Sequence, residues 1–364
     1  MRSKLRTLHR WISLGVATLW VLQALSGLFL VFHWEIDDAL VAGPVRPLAL
    51  GSFGRRLDAL ESESPTRSIA SIWATAGAAD RFEITVDDSA TGESTILRVD
   101  GEGNVLRERS SAERWGHGGW ISQLASFHQT LLAGDLGHSL IGLSGLLLLT
   151  NLGLGLKLAW PGRGQWRRTL RPRTTRLNAA GLYAWHRALG LWVAPLALIT
   201  VTCGTLLTFE DKFGAMIGAE PLAPTVTDSA APGENAPASH VAPGTAIATA
   251  LGRYPGATLA GVRFPDDEDP WYRVRVLQPQ EPRRVFGTTT VFVGAQSGQV
   301  IGDFDALTAP PARKFMDTLF PIHTGEVGGL VGRLGIVVIG VWLVTMIVFG
   351  VSLWWSRRRP RMGV

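Results

Sequence analysis

Four apolar runs limit what this chain can fold into: residues 11–32, 137–160, 189–209 and 330–355. Each is about 20 residues or longer, enough to cross a bilayer core of about 30 Å as a helix. None contains Asp or Glu. All 30 acids lie in 35–136 and 210–326, which hold only 18 of the 35 Lys and Arg. The segments at the other ends of the runs are purely basic: Arg2, Lys4, Arg6 and Arg10, then Lys157 to Arg187, then Arg357, Arg358, Arg359 and Arg361. A buried core helix could account for any one run. It does not account for four runs alternating this cleanly with charge. The first run is too long for a signal peptide, and no small-residue cleavage site follows Phe32. The positive-inside rule puts both termini and the middle loop in the cytoplasm and the two acidic segments outside. The net charge of +5 therefore belongs to the membrane topology, and no nucleic-acid partner is expected.

The chain is also a repeat. LHRWISLG at Leu8 returns as WHRALGLW at Trp185, so His9 matches His186 at an offset of 177, and Phe32 matches Phe209 without a gap. FHQTLLAGDLGHSLIG at Phe127 returns as IHTGEVGGLVGRLGIV at Ile322. His128 matches His323 at an offset of 195, and Trp160 matches Trp355. At these offsets His33 faces Glu210 and His138 faces Arg333. Each copy reads helix, outer segment, helix.

The expected fold is a membrane α-helical protein of four transmembrane helices in two repeats, each enclosing an α+β module. The divisions are 1–34 (N-terminus and helix 1), 35–136 (first module), 137–160 (helix 2), 161–185 (basic loop), 186–209 (helix 3), 210–329 (second module), 330–355 (helix 4) and 356–364 (basic tail). In the first module SIASIWATAG reads as a helix, and RFEITVDD and STILRVDGEGNVLRE read as hairpin strands with a turn at DGEG. In the second, GTAIATALGRY is the helix, and ATLAGVRF, WYRVRVLQ and TTTVFVGAQSGQVIG are strands. A Pro/Ala-rich linker over 219–243 separates the second module from helix 3.

The chemistry available is histidine chemistry. A single cysteine, Cys203, excludes disulfides, thiolate metal sites and a CxxCH attachment for haem. Of eight histidines, His117 and His240 read as surface residues. The other six sit at membrane boundaries, His9 and His186 on the basic side, His33, His128, His138 and His323 on the acidic side. Ionisable side chains at membrane depth are costly and mark function. Two layers of histidine on different helices suit b-type haem, whose iron takes two axial imidazoles from facing helices. Arg10 and Arg187, next to His9 and His186, and Arg333 near the outer layer are candidate partners for the haem propionates. Zinc ligands gather in one local geometry, whereas these six divide between two faces. Two haems are expected, the inner one on His9 and His186. For the outer one, symmetry favours His128 with His323 and depth favours His33 with His138. The loss of the histidine in the second copy, at Arg333, tips the choice toward His138, leaving His128 and His323 as alternative ligands.

These motifs, with LHRWISLGVATLWVLQALSGLFLVFHWEID at the start, resemble the PepSY-associated transmembrane proteins and, among them, the inner-membrane ferric-siderophore reductases. The resemblance covers nearly the whole chain. It implies four transmembrane helices, periplasmic PepSY-like modules and, in the reductase branch, two haems held by histidines. Family members commonly have Arg where His138 stands, and that departure favours the haem-binding branch. The implied activity is that of a haem-dependent transmembrane oxidoreductase of the inner membrane, reducing ferric siderophores in the periplasm so that iron is released. No G-x-G-x-x-G opens a helix after a strand, so the electron donor is expected to be a quinol, a reduced carrier or a separate reductase. The alternative is a non-enzymatic, membrane-anchored PepSY module that binds or regulates a periplasmic partner.

Overall fold

A computed structural model of the protein describes residues 2–77, 79–174, 178–219, 240–266, 269–356 and 358. Most of the 219–243 linker and of the 356–364 tail lies outside the described residues. The chain forms two compact units: Met1–Val31, Leu124–Phe213 and Leu319–Val364 make one, Phe32–Gln123 and Gly214–Thr318 the other.

The first unit is built on four long helices, α1 (Arg2–Leu30), α5 (Gly134–Ala159), α7 (Ala179–Thr208) and α11 (Gly329–Ser356). All four are long and apolar enough to span a membrane. The first helix of each copy packs along the last helix of the other, α1 on α11 and α7 on α5. The centre is fixed by two indoles, each of which gives its N–H to a backbone carbonyl. Trp20 donates to Ser144 O at 3.3 Å and Trp342 to Leu189 O at 3.0 Å. Two shorter helices, α4 (Gly119–Thr130) and α10 (Pro311–Thr324), lead into α5 and α11 and carry His128 and His323 in their last turns. The break between units falls at Leu124 and Leu319. The ends of these helices thus belong with the spanning helices, where the sequence assigns them to outer modules 35–136 and 210–329.

The second unit is one eight-stranded antiparallel sheet, not two separate modules. Its strands are β1 (Arg67–Ala74), β2 (Phe82–Asp88), β3 (Glu93–Val99), β4 (Val105–Ser110), β5 (Thr258–Arg263), β6 (Trp271–Leu277), β7 (Thr289–Gly294) and β8 (Val300–Phe304). Their order is β4-β3-β2-β1-β5-β6-β7-β8. Each copy supplies a four-stranded meander, and the halves join where β1 pairs with β5 through Ile72 opposite Val262 and Trp73 opposite Gly261. The join covers one free strand edge on each half. Helices α3 (Leu50–Ser62) and α9 (Pro243–Arg253) pack on one face, over Ile72, Ile84, Val262, Val274 and Val291, and approach each other at Gly54 and Gly244.

SIASIWATAG is therefore strand β1, not a helix. A bulge between Ile69 and Ser71 breaks its alternation, so Ile69 and Ile72 both point into the core. Two core residues three apart imitate helical spacing. The helix of this half is α3, whose buried Phe53, Leu57 and Leu60 recur every three or four residues.

In α2 (His33–Leu40) Asp37 is buried with Arg98, each 1% exposed, and Arg107 grips the same carboxylate at 2.7 and 2.8 Å. Burial works against the Asp37 charge, but Arg107 and Arg98 outweigh it and hold its pKa below the ordinary carboxylate value. A depressed folded pKa gives stability that is present above the unfolded value, about 3.9, and is lost as pH falls through the folded one. Asp37→Asn should cost the sheet unit about 3–5 kcal/mol by stranding two guanidiniums. Thermal melts from pH 7 downward check this. A variant melting like wild type at pH 7 would show that the cluster does not hold the unit together.

Candidate functional site

Four of the six boundary histidines meet as two pairs within the helical unit. His9 on α1 and His186 on α7 have ring centroids 6.4 Å apart at an interplanar angle of 68°. His128 on α4 and His323 on α10 are also 6.4 Å apart, at 39°. Both pairs join residues that match across the repeat.

Every ring rests on a glycine of a neighbouring helix. A Cβ added at Gly155 would stand 3.2 Å from His9, at Gly350 3.8 Å from His186, at Gly27 3.1 Å from His128 and at Gly204 2.5 Å from His323. These glycines obey the same offsets as the histidines, 27 with 204 and 155 with 350. The missing side chains leave the imidazoles room against the helices.

The rings are held by carbonyls one helical turn before those glycines. His9 Nδ1 lies 3.2 Å from Asn151 O, and His323 Nδ1 lies 3.0 Å from Thr200 O. A carbonyl only accepts, so Nδ1 carries the proton and Nε2 keeps its lone pair. His128 Nδ1 is 2.9 Å from Ser26 Oγ, and that hydroxyl donates to Gln23 O at 3.0 Å, which sets the same tautomer. Gln23 matches Thr200 in the repeat, and Asn151 matches Met346, whose carbonyl faces His186 more loosely. His186 Nδ1 makes no hydrogen bond of ordinary geometry among the described residues.

A cavity of about 870 Å³ surrounds His9 and His186. Leu148, Leu152, Leu156, Trp342 and Met346 give it apolar walls, and Arg2, Arg6, Arg10, Arg187 and Arg358 stand around it, with no acid among the described residues that line it. Arg187 also donates to Ala159 O at 2.8 Å, and Arg10 lies over the Trp11 ring. Along α1, His9 and the Gly27 seat of His128 are eighteen residues apart, about 27 Å of helix rise. The two pairs therefore stand near opposite ends of the spanning helices.

The remaining candidates do different work. His138 is exposed, and its Nε2 donates to Thr208 O at 2.8 Å, at the end of α7. Its repeat mate Arg333 donates through Nε and Nη2 to Val31 O, at 3.2 and 2.6 Å, just past the end of α1. Val31 matches Thr208 at the offset of 177. His138 and Arg333 thus do one job, donating to the last carbonyls of a helix. A lost metal ligand is not needed to explain why they differ. His33 belongs to the sheet unit, its ring tilted against that of Trp34 with centroids 4.7 Å apart. His117 and His240 are exposed, and His117 Nδ1 lies 2.7 Å from Glu113.

Among the described residues no group of three or more His, Cys, Asp or Glu is placed to hold a metal ion. Two imidazoles per site are too few for a bare cation but enough for one that brings its own equatorial donors, as iron in haem does. A metal bound by two imidazoles at about 2 Å, each ring centre lying about 1 Å beyond its nitrogen, sets the centroids about 6 Å apart. The pair spacing at both sites, the free Nε2 of His9, His128 and His323, and the apolar walls and arginines around His9 and His186 therefore fit haem. The tautomer, the glycine seats and the shared role of His138 and Arg333 need the folded chain to be seen, although the glycine offsets themselves are present in the sequence.

A comparison with the curated proteins found no match. The profile of the PepSY-associated TM region matches residues 6–357. With four spanning helices in two copies and a PepSY-type sheet between them, the chain belongs to the PepSY-associated TM family.

Proposed function

We propose that the protein is a di-haem electron-transfer protein of the bacterial inner membrane that reduces ferric chelates, of the siderophore kind, on the periplasmic side. The observation that carries this reading is the pair of 6.4 Å histidine couples, one near each end of the spanning helices. Each couple would hold one haem b, which would supply a one-electron redox centre near each face of the bilayer. His9 and His186 orient one site and His128 and His323 the other, each through a backbone-held ring. Arg10, Arg187 and the other arginines of the cavity offer cations to carboxylates at its basic end. That end is cytoplasmic by the positive-inside rule, so a quinol or a separate reductase supplies electrons there. Hard oxygen donors hold Fe(III) better than Fe(II), so reduction loosens the metal.

The test is anaerobic. Purified protein, reduced with dithionite and freed of excess reductant, is mixed with a ferric chelate in the presence of an Fe(II)-specific indicator. Reoxidation of the haem bands with equimolar indicator colour is the expected result. Haem bands that stay reduced would reject the reading.

A further inference from the structure

The sheet face turned away from α3 and α9 carries a group of arginines that the proposed electron path leaves unused. Along β6, Tyr272, Val274 and Val276 point into the core, so Trp271, Arg273 and Arg275 point the other way. Gly261 of β5 lies between Trp73 of β1 and Arg275 of β6, paired with both. A Cβ there would stand 2.6 Å from the indole, so the glycine lets Trp73 lie flat across the join of the two half-sheets. The Trp73 ring then reaches Arg275, whose Cζ is 5.7 Å from its centre, and meets Phe286 edge-on at 6.3 Å.

Burial disfavours the Arg275 charge most, and Arg283, Arg313 and Arg273 lie close enough to oppose it as well. Among the described residues Asp317 favours the Arg275 charge without outweighing these effects. Asp269 pairs with Arg273 at 3.1 Å and Asp317 with Arg313 at 2.9 Å. Glu281, the other acid near Asp317, spends both oxygens on Thr288 and Thr289. The Arg275 side chain makes no hydrogen bond or ion pair among the described residues, only the contact with the Trp73 ring. Three buried donors, Arg273 Nε and Trp271 Nε1 on this face and Arg313 Nε on α10, also lack acceptors among the described residues, as Asp317 Oδ2 lacks a donor. Gathered guanidiniums and orphaned N–H groups are expensive and call for an anionic acceptor.

We propose that this face binds the chelate to be reduced, and that the chelate is anionic, with catecholate or carboxylate oxygens, rather than neutral or cationic. A guanidinium fork matches two adjacent anionic oxygens, and an indole face accepts a flat aromatic donor. This rests on the ferric-chelate reading and adds the class of substrate to it.

Gallium(III) complexes test it, because gallium copies Fe(III) in charge and ligands but takes no electron under these conditions. Calorimetry on the full-length wild type in detergent should show gallium tris-catecholate binding about tenfold or more tighter than a cationic gallium trihydroxamate, with affinity falling as salt rises. Arg275→Gln should weaken the catecholate complex about tenfold or more, and Arg275→Lys less. Should Arg275→Gln misfold, the chelate preference and salt dependence of wild type decide alone. Equal binding of the two chelates, or an unchanged affinity in folded Arg275→Gln, overturns the proposal. Because gallium binding needs no haem, it stands or falls separately from the redox reading. Selective binding without reduction would reject only the electron-transfer function, and reduction without selectivity only this one.

Discussion

His128→Ala and His323→Ala are each expected to remove one of two haems, the same one, while His9→Ala and His186→Ala each remove the other. The reason is reciprocal geometry. Each couple is two rings 6.4 Å apart, so a haem held between them would lose one of its two imidazoles with either substitution. Partial loss would appear as a high-spin, five-coordinate spectrum for that haem alone. His138→Arg is the discriminating control. It installs the residue that its repeat mate already has, and Arg can still donate to Thr208 O as Arg333 donates to Val31 O. Both haems should persist in it with unchanged low-spin spectra. If His138→Arg erased a haem that survived His128→Ala and His323→Ala, the ligand assignment would pass to His138.

The glycine seats give the second large effect, and it is graded. Gly204→Ala should cost the His128–His323 site its low-spin haem, because the new Cβ would stand 2.5 Å from a ring already pinned to Thr200 O. Gly27→Ala and Gly155→Ala, at 3.1 and 3.2 Å, should loosen their sites, and Gly350→Ala, at 3.8 Å, should be tolerated. Helix propensity runs the other way, favouring Ala over Gly by about 1 kcal/mol, so haem loss would not come from a weaker helix. Haem content and spin state of the four variants provide the check. The same response at all four positions, or loss at Gly350 alone, would contradict the seating.

What could be read in advance follows from what is local. The spanning helices declare themselves by length and by the absence of acids, and the repeat declares the equivalence of His9 with His186 and of His128 with His323. Most strands show their alternation, as WYRVRVLQ does. β1 does not, because its bulge puts Ile69 and Ile72 on one side. The joining of two half-sheets depends on pairing Trp73 with Gly261, residues far apart in the chain, and no local pattern carries that. His323 is held through Nδ1 and His138 through Nε2, a distinction of hydrogen bonding that a residue name cannot convey. Gly27 with Gly204 and Gly155 with Gly350 did stand at the histidine offsets, and asking what else repeats at 177 and 195 would have found the seats.

Two bis-histidine haems per chain are tested for most directly by haem stoichiometry. Protein purified after haem-replete expression is assayed for haem b per polypeptide and examined for spin state. About two haems per chain, both low-spin with bis-imidazole signatures, is the predicted result. A well-folded protein without a Soret band would contradict the account and leave a membrane-anchored PepSY module that binds or regulates a partner.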